Sequence, residues 1–229
     1  FPPLLLVALL QWALDTPLYG SIGLLFGIAI LFYCWGPRDL DLDVDAIVDA
    51  PDVAARNAAI ARLTPNGGDI ASLLTAVFHA ARRRWFGVLF WFLLLGAFGA
   101  VLYRLVALAA EDDAALLPSG NAAGAKRLLA WLEWPVSQLM ALFMALVGDF
   151  DTVFSAWKQN GGAGFDANAD FLGAAGRASV RSELADDAQD YADAGESASD
   201  IARELGAMPE LRDAMSLAWR TLVAWLAVI

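Results

Sequence analysis

Phe86–Ala110 reads FGVLFWFLLLGAFGAVLYRLVALAA, with Arg104 as its single charge. A helix rises about 1.5 Å per residue, so roughly 20 mostly apolar residues cross a hydrocarbon core about 30 Å thick. The stretch therefore predicts a membrane-spanning helix. Others flank it. Leu18–Trp35 (LYGSIGLLFGIAILFYCW) is uncharged, and its Gly20, Gly23 and Gly27 suit the close approach of a neighbouring helix. Leu128–Gly148 is apolar apart from Glu133, Ser137 and Gln138, and Ala214–Ile229 reads as a last helix around Arg220. Phe1–Leu14 is apolar but short, and Asp15-Thr16-Pro17 separates it from the next run by a tight turn. The first residue is Phe1, not Met, so the start of the chain reads as missing. The expectation is an all-α integral membrane protein with at least four to five transmembrane helices (about 1–14, 18–35, 86–110, 128–148 and 214–229) and two cytoplasmic helical loops, 36–85 and 149–213.

Composition agrees with the runs. Of 229 residues, 59% are hydrophobic and 18% charged, against about 45–50% and 25% in soluble domains. The net charge of −11 repels phosphate backbones, so no nucleic-acid partner is expected. Lone Cys34 excludes an intramolecular disulfide and a cysteine metal cluster, and lone His79 excludes a histidine-rich one. Trp12, Trp35, Trp85, Trp131, Trp134 and Trp219 fall near the ends of the runs, where interfacial tryptophans belong.

Basic residues set the orientation. The 36–85 loop holds Arg38, Arg56, Arg62, Arg82, Arg83 and Arg84, and the 149–213 loop holds Lys158 and four arginines. The connections on the other side hold Lys126 and Arg127. The positive-inside rule then places both large loops in the cytoplasm. In the first, Pro51–Leu63 predicts a short helix, Pro65–Gly68 a break, and Asp69 the cap of a helix with an apolar stripe of Ile70, Leu73, Leu74, Val77, Phe78, Ala81 and Trp85. That helix lies on the membrane surface or on the other loop. His79 falls on its polar side beside Thr75 and Arg82, with no partner that would make it a general base. The second loop carries −9, from 14 acidic and five basic residues. Its Gln159–Arg177 stretch is glycine-rich but lacks a GxGxxG or Walker A pattern. Its acidic Glu183–Asp213 part reads as flexible or solvated.

Two polar groupings carry chemistry. Asp39, Asp41, Asp43 and Asp45 alternate along one short run and either open an acidic helix or hold Mg²⁺ or Ca²⁺ through oxygen ligands. No other cofactor is indicated. Within the membrane, Arg104 and Glu133 come out at similar depth on antiparallel neighbours, which predicts an ion pair with Tyr103 and Gln138 beside it. That cluster either ties two helices together or builds a polar ligand site. Arg220 is placed to snorkel.

Several of these elements carry a resemblance. Tyr33–Leu40 (YCWGPRDL), Phe90-Trp91-Phe92, Gly96–Leu105 (GAFGAVLYRL), Leu132-Glu133-Trp134-Pro135, Ala145–Phe150 and Ala218-Trp219-Arg220 are similar, in order along the chain, to the AmpE family, whose N-terminal portion is not present. The sequence departs from it at Gln138, where an arginine is expected. The resemblance implies a multi-pass bacterial inner-membrane protein, associated with an amidase of peptidoglycan recycling and with β-lactamase induction. It acts there as a regulatory or sensory modulator with a membrane or cytoplasmic protein partner. A more distant similarity to the CobD/CbiB proteins of cobalamin biosynthesis implies instead an ATP-dependent amide-forming membrane enzyme. An accessory subunit of a larger membrane complex is the third reading.

Overall fold

In a computed structural model of the chain, residues 2–14, 20–35, 39–64, 68–110, 119–165, 170–194 and 208–228 are described. Their regular structure is helical throughout: α1 (Pro2–Leu14), α2 (Gly20–Trp35), α3 (Leu40–Val48), α4 (Val53–Leu63), α5 (Ile70–Ala81), a π-helical turn (Arg82–Phe86), α6 (Gly87–Ala110), α7 (Ser119–Val147), α8 (Phe150–Gln159), α9 (Phe171–Asp193) and α10 (Pro209–Val228). The expected turn at Asp15-Thr16-Pro17 and most of the Pro65–Gly68 break lie outside the described residues. The chain divides into two units, Phe1–Arg38 with Arg82–Val136, and Asp39–Ala81 with Ser137–Ile229.

Three stretches are long and apolar enough to cross a membrane by length and composition: Ser21–Val48, which takes in α2 and α3, Ile70–Ala110 and Ala123–Val147. Pro2–Leu14 is apolar but shorter, and α10, which carries Glu210, Arg212, Asp213 and Arg220, is not among them. The span expected at 214–229 is therefore not one of these three. Its helix buries Leu211, Leu217, Leu222 and Trp225 and packs on α5 and α9.

The first unit contains the largest departure from the sequence reading. A straight helix from Gly87 to Ala110 would be about 36 Å long. At Gly96 the backbone turns to φ 68°, ψ −154°, a conformation reserved for glycine, and α6 folds back on itself. Gly87 and Tyr103 would stand about 24 Å apart on a straight helix, yet a Cβ on Gly87 would overlap the Tyr103 ring. Likewise, a Cβ on Gly99 would overlap the Trp91 carbonyl. The expected single crossing at 86–110 is therefore a helical hairpin. Gln11 of α1 stitches its tip: the side chain donates to the Leu95 carbonyl (3.1 Å) and accepts from the Phe98 amide (2.8 Å). Both backbone groups lose helical partners at the break, and an apolar medium offers no replacement. Around the hairpin, Val7, Cys34, Val88, Val101, Val106, Leu129 and Leu132 form an apolar core. The outer faces of α1 and α2 leave Leu5, Leu9, Trp12, Leu24, Phe32 and Tyr33 exposed, the composition of a lipid-facing surface. Trp85, expected at an interface, is buried.

In the second unit, the two predicted loops pack together. The α5 stripe of Leu73, Leu74, Val77, Phe78 and Ala81 is buried as expected, on α9 and α10, which settles on which surface that helix lies. Gly176 of α9 leaves room for the Phe78 ring. Aspartates start the helices. Asp39, Asp52, Asp149 and Asp170 accept from amides of α3, α4, α8 and α9, and Asp69 accepts from Ser72 at the start of α5. The short helix expected from Pro51 begins after its Asp52 cap. Glu183–Asp193, expected to be flexible or solvated, is the second half of α9. Residues 195–207 lie outside the described ones.

Candidate functional site

Glu133 of α7 is the charged centre of the first unit. Its side chain is 9% exposed, and each oxygen meets an arginine of the π-helical turn: Arg82 donates to Oε2 at 2.7 Å, and Arg83 to Oε1 at 3.0 Å. Arg82 is itself buried, whereas Arg83 reaches solvent. The Tyr103 hydroxyl stands 3.5 Å from Oε1, at the outer limit of a hydrogen bond. The π-helical turn brings Arg82 and Arg83 to one carboxylate, and the hairpin brings Tyr103 back to the level of Gly87, where that carboxylate lies.

The expected Arg104–Glu133 pair is therefore wrong, although Tyr103 and Glu133 do meet. The depth argument behind the pair assumed a straight helix. With α6 folded at Gly96, Tyr103 returns towards Glu133, while Arg104, about 100° further round the helix, comes within electrostatic reach of Cys34 instead. Gln138 belongs to the second unit. It accepts from Trp157 Nε1 (2.8 Å) and donates to the Gly162 carbonyl (2.7 Å), fixing the glycine-rich turn after α8.

Asp39, Asp41, Asp43 and Asp45 do not converge on a cation. Asp39 is the cap of α3, with its carboxylate 3.4 Å from the Asp41 amide. Asp41 accepts from Trp219 Nε1 at 2.9 Å. Asp43 is buried and Asp45 exposed. Among the described residues, no group of three His, Cys, Asp or Glu side chains has metal-binding geometry.

His79 has the partner that the sequence did not reveal. Its Nε2 lies 2.8 Å from Asp170 Oδ1. Asp170 also accepts from the Gly173 amide at 3.0 Å and sits 3.4 Å from Arg177, which donates to Thr75. Burial acts to raise the Asp170 carboxyl, but the bond and charge of His79, the Gly173 amide and Arg177 together leave it below the usual carboxylate range. Four residues from α5 and the start of α9 thus form a polar latch. Arg220, expected to snorkel, pairs with Glu183 and lies 3.8 Å from Asp213.

No known protein family, curated protein or solved structure matches this chain.

Proposed function

We propose that the chain is a multi-pass protein of the bacterial inner membrane, similar to the AmpE family, and that it modulates signalling from peptidoglycan recycling to β-lactamase induction without catalysing a reaction. One observation carries this reading. Both oxygens of Glu133 are taken by Arg82 and Arg83, so the buried carboxylate of the first unit serves as a clamp between α7 and the π-helical turn. A general base needs an oxygen directed at a substrate proton, and this arrangement directs its oxygens at guanidiniums. The exposed apolar faces of α1 and α2 support insertion in a bilayer. The acidic second unit, with its packed α5, α9 and α10, offers the surface for a membrane or cytoplasmic partner.

A CobD/CbiB-like ATP-dependent ligase is the second reading, and the same cluster favours it in one respect. A straight helix from Phe86 would carry Tyr103 about 25 Å from the Arg82–Arg84 end, remote from cytoplasmic ATP. With the helix folded back beside Arg82 and Arg83, Tyr103 and Glu133 would face cytoplasmic ATP where those arginines follow the positive-inside rule.

The deciding experiment is β-lactamase induction in a deletion strain complemented with the natural chain or Glu133→Gln, paired with thermal unfolding of the purified protein with and without MgATP. Altered induction on deletion, with no stabilisation by millimolar MgATP, upholds the modulator. Unchanged induction with clear MgATP stabilisation overturns it in favour of the ligase.

A further inference from the structure

Within the second unit, α9 and α10 bury oxygens whose hydrogen bonding is incomplete. Ser179 is wholly buried, and its hydroxyl makes no hydrogen bond; nor do Glu183 Oε1 and Asp213 Oδ2. Buried polar atoms in folded proteins are nearly always partnered, and exceptions point to a bound ion or water. Ser179 and Glu183 lie one turn apart on α9, hence on one face. Both face Gly148, where a Cβ would lie 2.6 Å from Ser179 Oγ, 3.4 Å from Glu183 Oε1 and 3.2 Å from the Met144 carbonyl. Asp213 approaches Glu183 from α10, within electrostatic reach of its carboxylate. Arg220 donates to Glu183 Oε2 and stands 3.8 Å from Asp213 Oδ1.

We propose that Ser179, Glu183 and Asp213 are side-chain ligands of a monovalent metal cation, sodium or potassium, held between α9 and α10 with the Met144 carbonyl nearby. Charge sets the valence. Two carboxylates and one guanidinium leave a net −1, to which Asp187 adds further negative potential. A monovalent ion neutralises that charge, whereas a divalent ion would overshoot it in a partly desolvated site. A proton shared by the two carboxyls would satisfy their oxygens but leave the Ser179 hydroxyl without a partner. A hard cation with oxygen ligands engages all three.

The site is independent of the regulatory reading, and its test needs no activity. Thermal unfolding of the full chain in detergent is compared at pH 8 in sodium, potassium and choline chloride at about 0.15 M, where general screening is equal. Sodium or potassium is expected to raise Tm saturably by about 3 °C or more over choline, and Ser179→Ala and the isosteric Asp213→Asn each abolish the difference. Where Asp213→Asn fails to fold, Ser179→Ala and sodium NMR line broadening in the natural chain decide. Equal Tm in all three salts overturns the site, as does a metal effect that survives Ser179→Ala. Stabilisation by magnesium alone, or by lowering the pH with no difference between salts, also overturns it.

Discussion

The two units meet the same difficulty, unpaired backbone groups at helix ends, in opposite ways. In the second unit, each aspartate cap sits immediately before the helix it starts, as at Asp52, whose carboxylate accepts from Ala55 at 2.7 Å. In the first, the break at Gly96 is closed by Gln11, 87 residues before Phe98 in sequence. Water can substitute for a missing cap on a surface helix but not for a missing partner in an apolar interior. A polar residue in the apolar unit is therefore expected to contribute more than its counterpart in the polar one, and the perturbations below test that ordering.

The largest loss is expected at Glu133. Replacing it with alanine leaves Arg82 buried without its carboxylate, at a cost of about 3–5 kcal/mol by analogy with other broken buried pairs. Unfolding of the purified protein in mixed micelles measures it. A double-mutant cycle sharpens the result: Glu133→Gln couples to Arg82→Gln and not to Arg104→Gln. Coupling to Arg104 instead would restore the straight-helix geometry and remove the hairpin from the account.

Next comes the hairpin tip. Gln11→Leu strips the exposed Leu95 carbonyl and the half-buried Phe98 amide of a partner, at about 1–3 kcal/mol for each group that lipid rather than water then surrounds. Gly96→Ala forces a side chain into a backbone conformation open essentially to glycine alone, at about 1–3 kcal/mol, and sets its Cβ 2.6 Å from Gln11 Nε2. The fold-back has a direct readout too. Spin labels at Arg84 and Leu108 would be about 36 Å apart on a straight helix and fall well short of that across the hairpin. A full-length separation, or a Gln11→Leu protein as stable as the natural one, breaks the comparison between the units.

What the sequence disclosed follows from how far each cause reaches along the chain. The α5 stripe and the Asp69 cap are encoded within a dozen residues, and both appear where periodicity and capping placed them. The apolar runs were equally legible, as composition. Their path was not, because a hairpin and a single span share the same hydropathy. The signals were present in Gly96, Gly99 and Gln11, an uncharged polar residue in an apolar run, yet no local rule joins Gln11 to Gly96. Arg82 and Arg83 read as topogenic charges because charge bias ignores side-chain partners. His79 seemed unaccompanied because Asp170 lies 91 residues away.

The His79–Asp170 latch should have an intermediate effect and a pH signature. The Asp170 carboxyl is depressed in the folded protein, so its contribution is present at neutral pH. It is lost as the pH falls below the unfolded value, about 4, through the folded one. Asp170→Asn keeps an oxygen for the Gly173 amide but removes the charge that faces His79 and Arg177, so a loss of about 0.5–1 kcal/mol is expected at pH 7, the scale of part-exposed ion pairs. It also flattens the acid limb of the stability curve below about pH 4. His79→Gln removes the 2.8 Å contact with Asp170 while leaving the Gly173 cap intact, so a smaller acid-limb change is expected. An unchanged acid limb in Asp170→Asn would mean that other carboxylates set the acid response.

The smallest effect belongs to Asp52. Its carboxylate caps α4 from the preceding position, and most of that helix is exposed, with Ala59 as its buried residue. Asp52→Ala removes one bond to an amide that water can reach, so about 0.5–1 kcal/mol is expected. The loss should appear as faster hydrogen exchange confined to the first turn of α4, since a helix with so little burial opens locally before the unit unfolds. If Asp52→Ala instead destabilised the protein as much as Gln11→Leu, reach to water would not be what separates the two kinds of cap. The greater weight assigned to polar residues in the apolar unit would then lose its physical basis.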